Sequence, residues 1–336
     1  MIVLGIETSC DETAASVVGP DGVLSDVVYT QEIHTEYGGV VPELAGRAHA
    51  DKIVSTVRAA LSRAGIERPD AVAATSGPGL IGAVLVGLCF GKAAAAGWGV
   101  PFIGVNHLEG HLLSATLEPN RPAFPFLSLV ISGGHTSLYL ANKLGDYTVL
   151  GETVDDAAGE AFDKVARMLD LGYPGGPVVD RLAAAGNPHE VTLPRPQPKM
   201  RAPRTPSGHR GTRALDMSFS GLKTAVRSHV QSPQRASDAD VCASFQQAVV
   251  DVITDRIQRA AAQTGVRRVT MAGGVAANSQ LRMALESMDM EVCLPPRHRC
   301  TDNAAMIAHA GRLRLLDGEA HGLDRGARAQ WTPGVA

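Results

Sequence analysis

Short apolar runs that break into a polar or glycine-bearing turn, then leave it as a helix or second strand, occur in both halves of this chain. No other feature limits the possible folds as much. IVLGIETSC runs into a turn, and DETAASVV leaves it with period-2 alternation, so the start predicts a hairpin whose polar turn holds Glu7, Thr8, Ser9, Asp11, Glu12 and Thr13. FLSLVISGGHTSLYL at 126–140 has the same strand–turn–strand form. VTMAGGVAANSQLRMA at 269–284 parallels residues 72–87, each a strand, a glycine turn and a helix. PFIGVNHLEGHLLSATL is a strand over Phe102 to Val105 entering a further helix, and Val40 to Ala64 has helical periodicity. Strands alternating with helices predict an α/β fold. At 336 residues the chain is long for one core. Two similar lobes facing a shared cleft are expected: residues 1–120, joined by the C-terminal helix 303–318, and residues 121–302.

Charge and cysteine usage narrow the function classes. Thirty-one Lys and Arg against 34 Asp and Glu give a net charge of -3, so there is no global electrostatic case for nucleic acid. Any RNA contact must use basic residues gathered locally, or a partner. The stretch 192–215, rich in Pro, Gly and Arg, is the place to look. Arg195, Lys199, Arg201, Arg204, Arg210, Arg213, Lys223 and Arg227 face only Asp216 as an acid between 195 and 227. A solvated loop is the blander account of such a run, and a phosphate contact the functional one. The five cysteines are scattered without a C-x-x-C pair, which fits a reducing compartment. The apolar start lacks a basic flank and runs into acids, so a cytoplasmic location is expected and no membrane partner. Residues 78–101 are apolar for long enough to suggest a membrane span, but Lys92 near the centre and six glycines favour a helix buried in protein.

His107-Leu108-Glu109-Gly110-His111 is the sharpest local signal. At about 100° per residue, positions i and i+4 lie within about 40° of each other on a helix, so both imidazoles can reach one metal. Glu109 falls about 200° from His107. A zincin protease needs its Glu at i+1, so this motif is poorly placed for proteolysis. Asp302, in the polar turn of CTDNAAMIAHAG, is the best third ligand, with plain helix capping as its alternative. Two imidazoles and a carboxylate with open positions suit Fe, Zn or Mn. The turns Ser132-Gly133-Gly134 and Ala272-Gly273-Gly274 can present backbone N–H groups, the second opening a helix whose N-terminus favours phosphate. Asn278 suits a base or acyl group, or solvation. Asp163 suits ribose hydroxyls, or an i,i+4 pair with Arg167. Gly176 lies in a turn that permits close backbone approach, and Asp180 lies just beyond it. Neither G-x-x-x-x-G-K-[ST] nor G-x-G-x-x-G is present, which argues against a Walker ATPase and a Rossmann dehydrogenase.

Taken in order, GIETSCDETAASVV, VVPELAGRAHA, TSGPGLIGAVLVG, NHLEGHLLSA, LVISGGHTSLYL, GEAFDKVARMLDLGYPGGP, MSFSGLKTAV, AGGVAANSQLR and CTDNAAMIAHAG closely resemble the TsaD/Gcp family of tRNA N6-adenosine threonylcarbamoyltransferases over roughly nine-tenths of the chain. The resemblance implies the two-lobed actin-like, sugar-kinase-like ATPase fold with a duplicated core. It also implies transfer of a threonylcarbamoyl group from threonylcarbamoyl-adenylate to N6 of the adenosine 3′ of the anticodon, in tRNAs reading codons that begin with A. His107, His111 and Asp302 match the family's metal ligands. Val130, Ile131, Ser132, Gly133 and Gly134 match its adenylate-contacting turn, and Asp163, Gly176, Asp180 and Asn278 match further substrate contacts. Archaeal and eukaryotic relatives place a Tyr ligand at Val130, which implies fewer protein ligands here. One divalent metal is expected, Fe(2+) before Zn(2+). The implied partners are tRNA, a TsaB paralogue and a TsaE ATPase, with the adenylate supplied by a separate synthase. Asp11 and Glu12, in their polar turn, are the candidates for the group that assists proton removal. The rival classes are a zinc endopeptidase, a small-molecule kinase on the same fold and a non-catalytic scaffold.

Overall fold

The computed structural model describes residues 1–198 and 213–334. The chain divides into two compact units. The first comprises Met1–Arg121, Leu144–Asp146 and Asp302–Ala336; the second comprises Pro122–Lys143 and Tyr147–Thr301.

The first unit is built on a five-stranded sheet. Its strands are β1 (Val3–Glu7), β2 (Glu12–Gly19), β3 (Gly22–Thr30), β4 (Ala71–Gly77) and β5 (Phe102–Asn106), in the order β3-β2-β1-β4-β5. β2 is antiparallel to β1 and β3, while β4 runs parallel to β1 and to β5. The near-continuous apolar character of β1 and β4 follows from burial on both faces. Leu4, Ile6, Val72 and Ala74 pack with Ile53, Val57 and Ala60 of α1 (Pro42–Ala64) and with Leu88 and Ala95 of α2 (Ile81–Trp98). Gly5, on the opposite face, meets the last helix of the chain, Ala304–Leu316: a Cβ at Gly5 would lie 2.3 Å from the Ala304 carbonyl oxygen and 2.7 Å from the Ala308 Cβ. Strand alternation therefore puts Glu7 on the same face as that helix. β5 runs directly into α3 (His107–Leu113), a helix of seven residues.

α2 is long and apolar enough to cross a membrane by length and composition, yet it differs from the fully buried helix expected from its sequence. Only Ala83, Val84, Gly87, Leu88, Gly91 and Ala95 are buried, so one face packs while Ile81 and Leu85 stay exposed. Small residues form the packed face because the helix lies close to the sheet. The Lys92 ammonium donates to the Arg325 carbonyl at 3.1 Å.

The second unit repeats the topology. Its strands are β6 (Phe126–Ile131), β7 (Thr136–Lys143), β8 (Asp146–Glu152), β9 (Arg268–Ala272) and β10 (Glu291–Cys293), ordered β10-β9-β6-β7-β8. β7 is antiparallel to β6, β9 is parallel to β6, and β10 is parallel to β9. The helices are α4 (Ala158–Met168), α5 (Gly175–Ala183), α6 (Ser220–Val230), α7 (Asp238–Thr264) and α8 (Ser279–Glu286); the Ala304–Leu316 helix of the first unit is α9. Leu127, Leu129 and Ile131 join Val269 and Met271 in a core closed by Phe162 of α4 and Phe245 of α7. Those two rings meet edge to face at 5.1 Å.

The basic stretch at 192–215 is only partly described. Lys199, Arg201, Arg204 and Arg210 lie outside the described residues. Three of the others are paired within the protein: Arg195 with Asp251 at 2.6 Å, Lys223 with Asp156 at 3.0 Å and Arg213 with Glu152 at 3.8 Å. Internal pairing leaves these three cations less available to a phosphate than their sequence suggests.

Candidate functional site

In the first unit, His107, His111 and Asp302 come together, each offering one donor atom, with the three atoms within 4.8 Å of one another. The Asp302 Oδ1 lies 3.0 Å from His111 Nε2 and 3.6 Å from His107 Nε2. With ligand bonds of about 2.1 Å, neighbouring donors lie about 3.0 Å apart at right angles and about 3.4 Å apart at the tetrahedral angle. The two carboxylate–imidazole spacings therefore fit one divalent ion. Helical phase explains the histidine pair: their rings sit edge to face with centroids 4.7 Å apart. Asp302 is not the cap of α9. The Asn303 side chain takes that role by accepting from the Met306 N–H.

Glu7 and Ser9 complete the surroundings of His107, and neither was given a role from sequence. The fully buried Glu7 carboxylate accepts from the Ser9 N–H, from Thr75 Oγ1 at 2.6 Å, and faces His107 Nδ1 at 3.0 Å. Ser9 Oγ lies 3.2 Å from the same nitrogen. Burial opposes charge on Glu7, but the His107 imidazole and the Thr75 donor hold its pKa below the usual carboxylate value. An ionised Glu7 holds a proton on Nδ1, which leaves Nε2, the nitrogen nearest Asp302, as the one a cation can take by displacing its proton. His111 has no such anchor among the described residues: its Nδ1 is buried without a hydrogen-bond partner there.

Acids crowd this end of the sheet. Burial, then the charges of Asp302 and Asp11, push Glu12 up to about 10. Burial would also lower the His107 pKa, but Glu7 and Asp302 raise it to about 9. A cluster that must hold extra protons in the absence of a cation has the electrostatics of a cation site. Glu109 takes no part in it. It points away into a part-buried ion pair with Arg314, as the helical phase required, so it is not placed to activate a water on this ion.

In the second unit, the two glycine turns lie side by side at the C-terminal ends of the neighbouring parallel strands β6 and β9, the end of an α/β sheet where ligands usually bind. Gly273 has φ +97°, and a Cβ there would come within 2.3 Å of the Ile131 carbonyl oxygen, so only glycine lets the turns approach this closely. Val130 and Ile131 are buried strand residues, whereas Gly133 and Gly134 are exposed. The remaining candidates join the same circuit of contacts. The Gly159 N–H, at the start of α4, donates to the Ser132 carbonyl at 3.2 Å. Asp163 accepts from the Gly175 N–H at 2.7 Å, so its partner is the start of α5. Gly176 follows in the first turn of α5. Asp180 accepts from the Ser279 hydroxyl at 2.7 Å and from the Ser279 N–H. Asn278 caps α8 through the Leu281 N–H at 2.9 Å and donates to Gln246 Oε1 at 2.8 Å.

Asn278 is thus a buried cap, not a solvated residue. Two of the first N–H groups of α8 are already taken by Asp180 and Asn278. The phosphate-ready helix N-terminus expected here is therefore largely satisfied from within. Close approach along the turns, together with the exposed Gly133-Gly134 backbone, is what remains for a ligand.

Residues 22–309 match the family model described as TsaD, tRNA N6-adenosine threonylcarbamoyltransferase. The chain belongs to the TsaD family. Curated relatives carry the same name: one from Anaeromyxobacter dehalogenans (strain 2CP-C) is 53% identical, covering 98% of this chain and 98% of its own length. Another, from Anaeromyxobacter sp. (strain Fw109-5), is 50% identical over 98% of this chain and 99% of its own. TsaD proteins are named as transferases acting on tRNA, and this chain is one of them. Among solved structures, full-length HypF in the phosphate- and nucleotide-bound form aligns with a TM-score of 0.61 at 12% identity, over 94% of this chain and 55% of HypF. A ROK hexokinase from Thermus thermophilus aligns at 0.51 and 16% identity, over 95% and 100%. These likenesses give the fold: the two-lobed architecture of the sugar-kinase and actin class.

Proposed function

We propose that this chain transfers the threonylcarbamoyl group of L-threonylcarbamoyl-adenylate to N6 of adenosine 37, 3′ of the anticodon, in tRNAs reading ANN codons, and releases AMP. The observation that carries this reading is the convergence of two imidazole Nε2 atoms and one carboxylate in a chain matched over 98% of its length by proteins named as threonylcarbamoyltransferases. In the reaction, the N6 nitrogen attacks the carbamoyl carbon, the bond from that carbon to the adenylate oxygen breaks, and N6 loses a proton.

His107, His111 and Asp302 would hold one divalent ion; the donor set suits Fe, Zn or Mn, and the family resemblance puts Fe(2+) before Zn(2+). Bound there, it would supply Lewis acidity to the acyl group. Glu7 orients His107 for that task. The exposed Gly133-Gly134 backbone, beside the Gly273 turn, offers N–H donors and room for a ring or phosphate. Asp163, Gly176, Asp180 and Asn278 shape this region by fixing the starts of α5 and α8. Proton removal from N6 is assigned to Asp11 or Glu12; Glu12, held protonated by burial and by the charges of Asp302 and Asp11, can accept that proton only once a bound cation has offset them. Replacing each with Ala and finding unchanged transfer rates would remove that assignment.

With a net charge of -3, the chain has little global attraction for tRNA, which agrees with tRNA binding shared with a TsaB paralogue and a TsaE ATPase. The adenylate would arrive from a separate synthase, in the cytoplasm. The decisive experiment is nucleoside analysis of tRNA from cells depleted of this protein. Loss of threonylcarbamoyladenosine, restored by the wild-type chain and not by His111→Ala, is the expected result. Retention at normal levels would overturn the proposal.

A further inference from the structure

The geometry points to a brace, the Glu109–Arg314 pair, that sets the direction of α3 so that the two imidazoles on its other side converge with Asp302 on one cation. Both are positioning residues, and the inference rests on the metal reading above.

α3 has only seven residues, fewer than two full turns, and a helix that short cannot hold its own direction. Its start is tied by Asn106, whose Oδ1 accepts from the Leu108 N–H at 2.9 Å and the Glu109 N–H at 3.3 Å. Asn106 Nδ2 in turn donates to the Trp331 carbonyl at 3.1 Å, fastening that end to the C-terminal segment. The face opposite the histidines is held differently. The Glu109 carboxylate is 2% exposed and receives Arg314 Nε at 2.8 and 3.0 Å and Nη2 at 2.8 Å. Arg314 spends its third nitrogen, Nη1, on Glu319 at 2.5 Å.

Arg314 belongs to α9, the helix that begins just after Asp302. Beyond the close packing of Gly110 against Met306 and Ile307, α3 and the segment carrying Asp302 and α9 are thus tied at two polar points, the metal set at one and the guanidinium at the other. A fork with two parallel N–H donors fixes rotation as well as distance, which an apolar contact does not. A cavity of about 210 Å³ adjoins this side of α3, bounded by Gly104, Asn106, Glu109 and Arg314 among others. On that side α3 is therefore held by polar contacts as well as by the packing that buries all seven of its residues. A buried ion pair adds little net stability over an apolar pair of similar volume, so its directional character is what distinguishes it.

The test uses the full chain with Zn(2+) as the probe, measuring affinity by competition with a chromophoric chelator and folding by urea titration. Arg314→Met is expected to weaken zinc binding tenfold or more, in the range typical when a residue that orients a metal ligand is lost. Arg314→Lys, which keeps the charge without the fork, should recover part of that loss. The Glu109→Met/Arg314→Met double variant leaves no unpaired buried charge, so it should regain folding stability while zinc affinity stays low. Recovery of both together would reduce the pair to a structural element and overturn the brace. Unchanged zinc affinity in either single variant would overturn it as well, leaving the metal reading intact. Failure of the wild-type chain to bind zinc would overturn the metal reading, and the brace with it. If Arg314→Met fails to fold, the Lys and double variants still decide the question.

Discussion

Glu7 gives no ligand atom to the His107, His111 and Asp302 set, yet its carboxylate decides which nitrogen of His107 keeps the proton. Glu7→Gln preserves shape while replacing a carboxylate by an amide, and metal affinity should fall about 10- to 100-fold with little change in urea midpoint. His111→Ala or Asp302→Ala should abolish stoichiometric metal, read by elemental analysis of the purified chain. A separate prediction concerns His309, whose Nε2 lies 2.7 Å from Thr116 Oγ1 inside the first unit. Burial, then the charges of Arg312 and Arg121, lower its pKa from 6.5 to about 4. The unfolded chain takes up that proton first, so the folded state loses stability as pH falls from 6.5 towards 4. The loss approaches about 3 kcal/mol at the acid end. His309→Gln cannot titrate, and its urea midpoint should fall less across that window than the wild type's.

At the scale of elements, β1 is gripped from both sides, and Gly5 is the residue that lets α9 come so close. Gly5→Ala drives a methyl into the Ala304 carbonyl, and should cost about 1–3 kcal/mol in a urea titration as strand and helix separate. Most strands and strand-to-helix turns were legible because their apolar runs stop at Gly, Ser or Asn. β3 was not, since Leu24, Val28 and Tyr29 are exposed and blur the alternation of an edge strand. The histidine pair was legible because i,i+4 spacing is a local property of a helix. Glu109–Arg314 was not: the partners lie 205 positions apart, and no periodicity connects them. Glu7 stood within a polar turn, but its link to His107 spans 100 positions and depends on strand β5 arriving beside β4.

Over the whole molecule, both sheets share one strand order, so the recurrence of apolar run and glycine turn in the two halves had a structural cause. What the pattern did not reveal is how thoroughly the first unit depends on its last piece. α9 covers one face of β1, and the segment after it is tied back to β4 and β5: Arg328 N–H donates to the Ser76 carbonyl at 2.8 Å, and Gly104 N–H to His321 Nδ1 at 2.9 Å. A fragment of residues 1–121 alone should therefore show no cooperative urea transition by circular dichroism. Joining residues 302–336 to it through a flexible linker should restore one.

Asp302 travels with that closing segment, 191 positions after His111. While the chain is being made, the histidines leave the ribosome long before the carboxylate exists to meet them, so a nascent polypeptide has no finished pocket for a cation. Loading at this set would have to wait until residue 302 has been made, and a product truncated before it would carry two imidazoles without their carboxylate.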